Sequence, residues 1–117
     1  MPSLAQLARI AEIEFSSVVV DTIMMGSKLR LLLTDSSHMD VWVSQELRNR
    51  FGFHWERRHL DGLIFRYDNF PDVKWQHLDT APFHFHNGTQ EDVEAAPFAQ
   101  DVLQGFRDFL AFVVRQI

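Results

Sequence analysis

The sequence predicts an α+β fold: a curved antiparallel sheet of about five strands, with an N-terminal and a C-terminal helix packed on it. Two patterns lead to this prediction. Between Phe15 and Asn69, apolar and polar residues mostly alternate, which is typical of half-buried strands. At both ends of the chain, apolar residues recur every three or four positions, which is typical of amphipathic helices on a core.

Each terminal helix has its own sequence signals. Ser3 followed by Gln6 fits a capping box, because the two side chains can satisfy free backbone amides in the first turn. The stripe behind this cap consists of Leu4, Leu7, Ala8, Ala11 and Phe15. The second helix is expected to run from Pro97 to the end of the chain, since proline is favoured at the first helical position.

Short connections separate the strand-like segments, so an antiparallel meander is expected. The segments are Val18–Ile23, Leu29–Leu33, Met39–Val43, Phe51–Trp55 and Leu63–Asn69. Residues 72–87 look irregular because prolines bracket them, and residues 88–96 are polar and acidic, as in a surface loop.

The dipeptide Asp61-Gly62 is the strongest hairpin signal in the chain, because both residues tolerate positive φ. A two-residue turn there would place Arg57 opposite Arg66. That pair is like-charged and unfavourable. A longer loop from Arg58 to Gly62 is the alternative, and the sequence leaves the register open.

Composition limits the classes of function. A chain of 117 residues is most simply one domain, 1–117. The net charge of −5 argues against a broad nucleic-acid-binding surface, but it is compatible with binding through a local basic patch. The absence of cysteine excludes disulfides, thiolate zinc sites and a cysteine nucleophile. With no signal-like start and no long apolar run, we expect a cytoplasmic protein without a membrane partner.

His84 and His86 form the first candidate site. Residues two apart share one face of a strand, but lie about 200° apart around a helix. Phe83 and Phe85 would then face the core, which supports the strand. Two imidazoles on one face suit a general acid and base, or, with one carboxylate, a metal ion. The alternative is two surface imidazoles that flank core phenylalanines.

Arg66, Tyr67, Asp68 and Asn69 form the second candidate site, at the end of the last predicted strand. Alternation places Arg66 and Asp68 on one face and Tyr67 on the other. An arginine can hold a phosphate bidentately, and a tyrosine can donate a proton or stack on a base. The alternative is a simple Arg66–Asp68 ion pair with a turn cap. His54, on the polar face of the fourth predicted strand, is a further candidate.

These residues resemble the TumE-type proteins, the toxin components of type II toxin–antitoxin pairs. The similarity in order and spacing lies in residues 54–55, 61–69 and 80–86. It covers about residues 29–86 and extends weakly into the final helix. The resemblance implies a toxin with a cognate antitoxin as its partner. Two histidines of the family pattern are missing, at Asp72-Val73 and at Phe83, which argues against a multi-histidine metal site.

Three functions follow as hypotheses. The first is a toxin that acts on RNA or another phosphate-bearing target without a cofactor, with His84 or His86 as acid or base, Arg66 stabilising negative charge and Asp68 orienting a histidine. The second is a non-catalytic protein-binding module, or an inactive homologue, that binds an antitoxin or host protein. The third is a histidine-based metal-binding domain. A homodimer is left open. The arginines available to hold RNA are Arg48, Arg50, Arg57, Arg58 and Arg66.

Overall fold

The computed structural model describes residues 1–117 and contains seven strands and three helices. The strands are β1 (Val19–Met25), β2 (Lys28–Leu33), β3 (His38–Val43), β4 (Phe51–Arg57), β5 (Leu63–Asp68), β6 (His84–Gly88) and β7 (Val93–Ala95). The helices are α1 (Leu4–Glu14), α2 (Arg58–Asp61) and α3 (Val102–Gln116), with a 3-10 turn at Val73–Trp75. None of these helices has the length and apolar character needed to cross a membrane.

The strands form one open antiparallel sheet in chain order. The α+β prediction is confirmed, and the five predicted strands are β1 to β5. The sheet continues with β6 and β7. The prediction that residues 72–87 are irregular is wrong for β6, whereas the strand proposed to place His84 and His86 on one face is confirmed. The surface loop predicted at residues 88–96 contains β7, whose three residues are too few to show a period.

Both terminal helices pack on the same face of the sheet, α1 over β1 to β3 and α3 over β4. The capping box of α1 is confirmed: Ser3 Oγ accepts from Gln6 N at 3.1 Å, and Ser3 N donates to Gln6 Oε1 at 2.7 Å. The predicted start of the second helix at Pro97 is wrong. Asp101 caps α3 instead, because its carboxylate accepts from Gln104 N at 2.9 Å.

The β4–β5 connection settles the open register. Arg57 pairs with Leu63, so the longer loop from Arg58 to Gly62 is correct and the two-residue turn is wrong. The loop forms the short helix α2, whose last turn closes through Gly62 N to Arg58 O, with Gly62 at φ 80°. A glycine with positive φ is a common way to end a helical turn.

Alternation along the strands separates an apolar face under the helices from a polar face. We call the face away from the helices the open face. The register aligns its side chains in rows across the sheet. One row contains Trp42, Gly52, Asp68 and His84. The next row contains Arg30, Asp40, His54, Arg66 and His86.

The contact between α3 and β5 leaves no room at Gly105. A Cβ at this position would lie 2.7 Å from the Ala99 carbonyl oxygen and 3.3 Å from Tyr67 Cε2. The same carbonyl accepts the Tyr67 hydroxyl at 2.7 Å. Close packing of glycine here therefore holds the helix against the sheet.

We expect Gly105→Ala to lower the free energy of unfolding by roughly 1–3 kcal/mol, because the added methyl group overpacks a rigid backbone contact. Urea denaturation would measure the loss. Val114→Ala in the same helix is the control, since Val114 is exposed and should change stability by less than about 0.5 kcal/mol. Equal stability of Gly105→Ala and wild type would contradict the close packing.

Candidate functional site

Asp68 is the centre of a polar cluster at the β5–β6 end of the open face. Its carboxylate accepts from Arg66 Nε at 2.7 Å and from the Phe70 backbone amide at 3.0 Å. The Nε2 atom of His84 lies 3.2 Å from Asp68 Oδ1, and that of His86 lies 4.0 Å from Oδ2. Arg66 from β5 and the two histidines from β6 therefore all contact or approach the same carboxylate.

Backbone carbonyls fix the orientation of both imidazoles. His84 Nδ1 lies 2.8 Å from the Pro82 oxygen, and His86 Nδ1 lies 2.9 Å from the Gln90 oxygen. A carbonyl only accepts, so each Nδ1 carries the proton. Both Nε2 atoms therefore face the Asp68 carboxylate, and His84 Nε2 forms a hydrogen bond with it when it also carries a proton.

The cluster is nearly closed to solvent. Asp68, His84 and His86 are 3%, 4% and 8% exposed. Burial lowers the pKa of His86, while its bond to the Gln90 carbonyl acts in the opposite direction. A buried carboxylate is stable only with hydrogen-bond or charge partners, which Arg66 and the backbone supply.

The same three residues could hold a metal ion. One ligand atom from each of Asp68, His84 and His86 lies within 4.8 Å of the others. Metal-binding histidines usually donate their other ring nitrogen to a carbonyl or carboxylate, as both histidines do here. Two imidazoles and one carboxylate suit a divalent transition metal. The donor set and its outer hydrogen bonds therefore fit such an ion.

The segment between β5 and β6 lies against this cluster. The Trp75 ring centroid is 6.3 Å from the ring centroids of both His84 and His86. A cavity of about 210 Å³ adjoins Trp75 and Pro82, whose carbonyl holds His84. Trp75 therefore packs beside both imidazoles at the edge of the cluster.

A family model described as Toxin TumE matches residues 6–117. The chain belongs to this family. Comparison with curated proteins and with solved structures gives no match. The resemblance seen at residues 54–86 thus extends over nearly the whole chain, and it supports a role as a toxin component.

Three of the candidate residues in this TumE-family chain lie apart from the cluster: Tyr67, Asn69 and His54. Asn69 is buried, and its Oδ1 accepts from the Phe51 backbone amide at 2.9 Å. Tyr67 is fully buried on the helix side, where its hydroxyl donates to Ala99 and burial raises its pKa. Its predicted face is confirmed, and this face keeps it away from Asp68. His54 lies on the open face opposite Arg66, but its Nε2 contacts Glu56 Oε1 at 3.2 Å. It flanks the cluster without bonding to it.

The ion pair and turn cap that were the alternative interpretation of Arg66 and Asp68 are also present. The two side chains form an ion pair, and the Asp68 carboxylate accepts from the Phe70 backbone amide. Trp42, Gly52 and Phe70 also lie beside the cluster, and none of them belongs to the residues predicted from sequence. Gly52 offered a signal, because glycine inside a strand often marks a close approach. A Cβ there would lie 2.7 Å from an Arg66 guanidinium nitrogen.

The ion pair beside His54 predicts a pH dependence of stability. Glu56 accepts from Arg58 Nη2 at 2.6 Å, and this bond is the main reason that its pKa falls from 4.5 to about 2. A carboxyl whose pKa is lowered by folding stabilises the fold above its unfolded pKa, and that contribution disappears as pH falls through the folded pKa. We expect Glu56→Gln to cost about 1 kcal/mol at neutral pH.

The difference between Glu56→Gln and wild type should shrink as pH falls from 4.5 to about 2. Chemical denaturation at several pH values would measure it. Glu46→Gln is the matched control, because Glu46 is exposed. A constant difference over this range would show that the carboxylate charge is not the cause.

Proposed function

We propose that the chain is a ribonuclease toxin whose site consists of Asp68, His84, His86 and Arg66. The observation that carries the proposal is the convergence of two imidazole Nε2 atoms and one guanidinium on a single buried carboxylate. Cleavage of RNA by its own 2′-hydroxyl requires only proton transfer and charge stabilisation. These four side chains provide both.

The histidine roles follow from the two distances to Asp68. His86 Nε2, at 4.0 Å, is beyond hydrogen-bond distance and accepts the proton of the 2′-hydroxyl. The 2′-oxygen forms a bond to the adjacent phosphorus, and the bond from phosphorus to the 5′-oxygen breaks. His84 Nε2, within hydrogen-bond distance of Asp68, donates its proton to the leaving 5′-oxygen. The products are a cyclic phosphate and a 5′-hydroxyl.

Arg66 stabilises the negative charge that develops on the phosphoryl oxygens, since a guanidinium can bind two of them at once. Asp68 orients His84 and holds Arg66 in place. His54 lies one strand from Arg66 and is assigned to the rim of the site. The imidazoles are nearly buried, so side chains around them have to shift before RNA reaches them.

Membership of a toxin family also supports an antitoxin protein as the partner. Such a partner is compatible with a catalytic and with a purely binding toxin. Binding to an antitoxin therefore does not separate these functions, and RNA cleavage does.

We expect induced expression of wild type to stop bacterial growth and purified protein to cleave RNA, whereas His84→Ala and His86→Ala abolish both effects. General acid–base groups typically contribute about 10²–10⁴-fold each, so cleavage should fall by at least 10²-fold. Gel analysis of an RNA substrate measures this. His77→Ala is the matched control, since His77 is exposed outside the cluster.

Circular dichroism should show that each variant is folded. Undiminished cleavage by folded His84→Ala would overturn the assigned role. Toxicity of both histidine variants would instead indicate that the toxin acts by binding. Arg66→Lys should retain more activity than Arg66→Gln if the charge stabilises the reaction.

A metal-binding function is a second candidate, and the fit of Asp68, His84 and His86 to one ion favours it. In this case the three side chains bind the ion together, and proton transfer by both Nε2 atoms is excluded. The two candidates therefore differ in whether Nε2 holds a metal or a proton.

If the metal candidate holds, zinc or nickel should bind at one equivalent and raise the melting temperature. His86→Ala should abolish both effects, because it removes one of three ligands. Isothermal titration calorimetry and elemental analysis measure the stoichiometry, with His59→Ala as the control. No binding by wild type would remove this candidate and leave the acid–base proposal unchanged.

A further inference from the structure

An aromatic pair lies beside the cluster on the open face. The Trp42 and Phe70 rings stack with centroids 5.2 Å apart and an interplanar angle of 29°. Phe70 remains 37% exposed, and Trp42 is half-buried. Neither ring belongs to the core beneath the helices.

Two arginines converge on this pair. The Arg50 guanidinium carbon lies 5.9 Å from the Phe70 ring centroid. Its Nε atom is buried and has no hydrogen-bond partner. At Gly52, between Trp42 and Asp68 in the row, the missing side chain leaves space for the Arg66 guanidinium and the edge of Phe70. The register thus joins the aromatic pair to the candidate site.

The charge near this pair is positive although the chain carries −5. Arg50 has no acidic partner, and Arg66 is balanced by Asp68. Lys28 and Arg30 share the single carboxylate of Asp40. Of the other arginines proposed from sequence to hold RNA, Arg57 and Arg58 are paired with Asp35, Asp61 and Glu56.

We propose that Trp42, Phe70 and Arg50 form a binding subsite for one nucleotide of single-stranded RNA. A base stacks on the aromatic pair, and Arg50 binds the adjoining phosphate. Every base has a π-face, so stacking on aromatic side chains accepts any sequence. Arg50 Nε has no hydrogen-bond partner, and the two stacked rings lie outside the core, so both remain available to a ligand.

This subsite extends the proposed ribonuclease site and rests on that function for its biological meaning. Trp42 is three strands from His84, which is roughly 14 Å at the usual strand spacing. A short single strand can span both places. The subsite would hold a flanking nucleotide while the scissile phosphate lies at the histidines.

The test is binding of a fluorescein-labelled 2′-O-methyl oligouridylate of about ten nucleotides, which lacks the hydroxyl needed for cleavage. Fluorescence anisotropy gives its dissociation constant for the intact chain. We expect Trp42→Leu to weaken binding about ten-fold and Trp42→Phe to change it little, because only the second keeps a stacking ring.

Arg50→Gln supplies a second measurement that does not depend on the aromatic pair. It should weaken binding and reduce the slope of log affinity against log salt by about 0.7, the value for one phosphate contact on a single strand. Arg115→Gln makes the same change of charge at the exposed end of α3 and should leave both quantities unchanged.

The subsite would be overturned if wild type did not bind the oligonucleotide. It would also be overturned if Trp42→Leu and Arg50→Gln bound it as tightly as wild type and Trp42→Phe. Cleavage of an unmodified oligouridylate is measured separately. If that RNA stays intact while the methylated strand binds through Trp42 and Arg50, the proposed reaction fails and the subsite stands. If the RNA is cleaved and neither variant weakens binding, the subsite alone fails.

Discussion

The antiparallel pairing of β5 with β6 is the constraint on which the site depends. It places Asp68 opposite His84 and Arg66 opposite His86. A shift of one residue would turn the candidate side chains toward the helices, because side chains alternate between faces. The aromatic residues between them resist that shift. Tyr67 is buried against α3 and bonded to Ala99, which locks β5 in place.

The aromatic core provides the rigidity that a buried polar cluster requires. Phe53 packs against Phe106 and Phe109, and Trp55 packs against Phe112. Helix α3 is therefore packed on the central strand β4. No helix covers the open face, although the segment around Trp75 lies against its β5–β6 end. Its polar side chains instead satisfy one another, as Arg66 does for Asp68. Unpaired burial of that carboxylate would cost several kcal/mol.

Distribution of charge reconciles an acidic chain with a proposed polyanionic substrate. Most arginines are held by carboxylates, as in Arg107 with Glu14 across the two terminal helices. Arg50 is not among these, and its guanidinium lies over the Phe70 ring with a buried Nε that has no hydrogen-bond partner. A local excess of positive charge can attract a phosphate strand even where the net charge of the protein is negative.

The sequence by itself determined the fold class, the first five strands, the capping box and the shared face of His84 and His86. Each depends on local periodicity or on contacts within one turn, which the order of neighbouring residues specifies directly. Only the tertiary structure decided which side chains meet. The loop before Leu63 set the register, and the return of β6 brought distant histidines to Asp68. Those contacts depend on strand pairing between segments far apart in the chain, and alternation alone does not specify a partner.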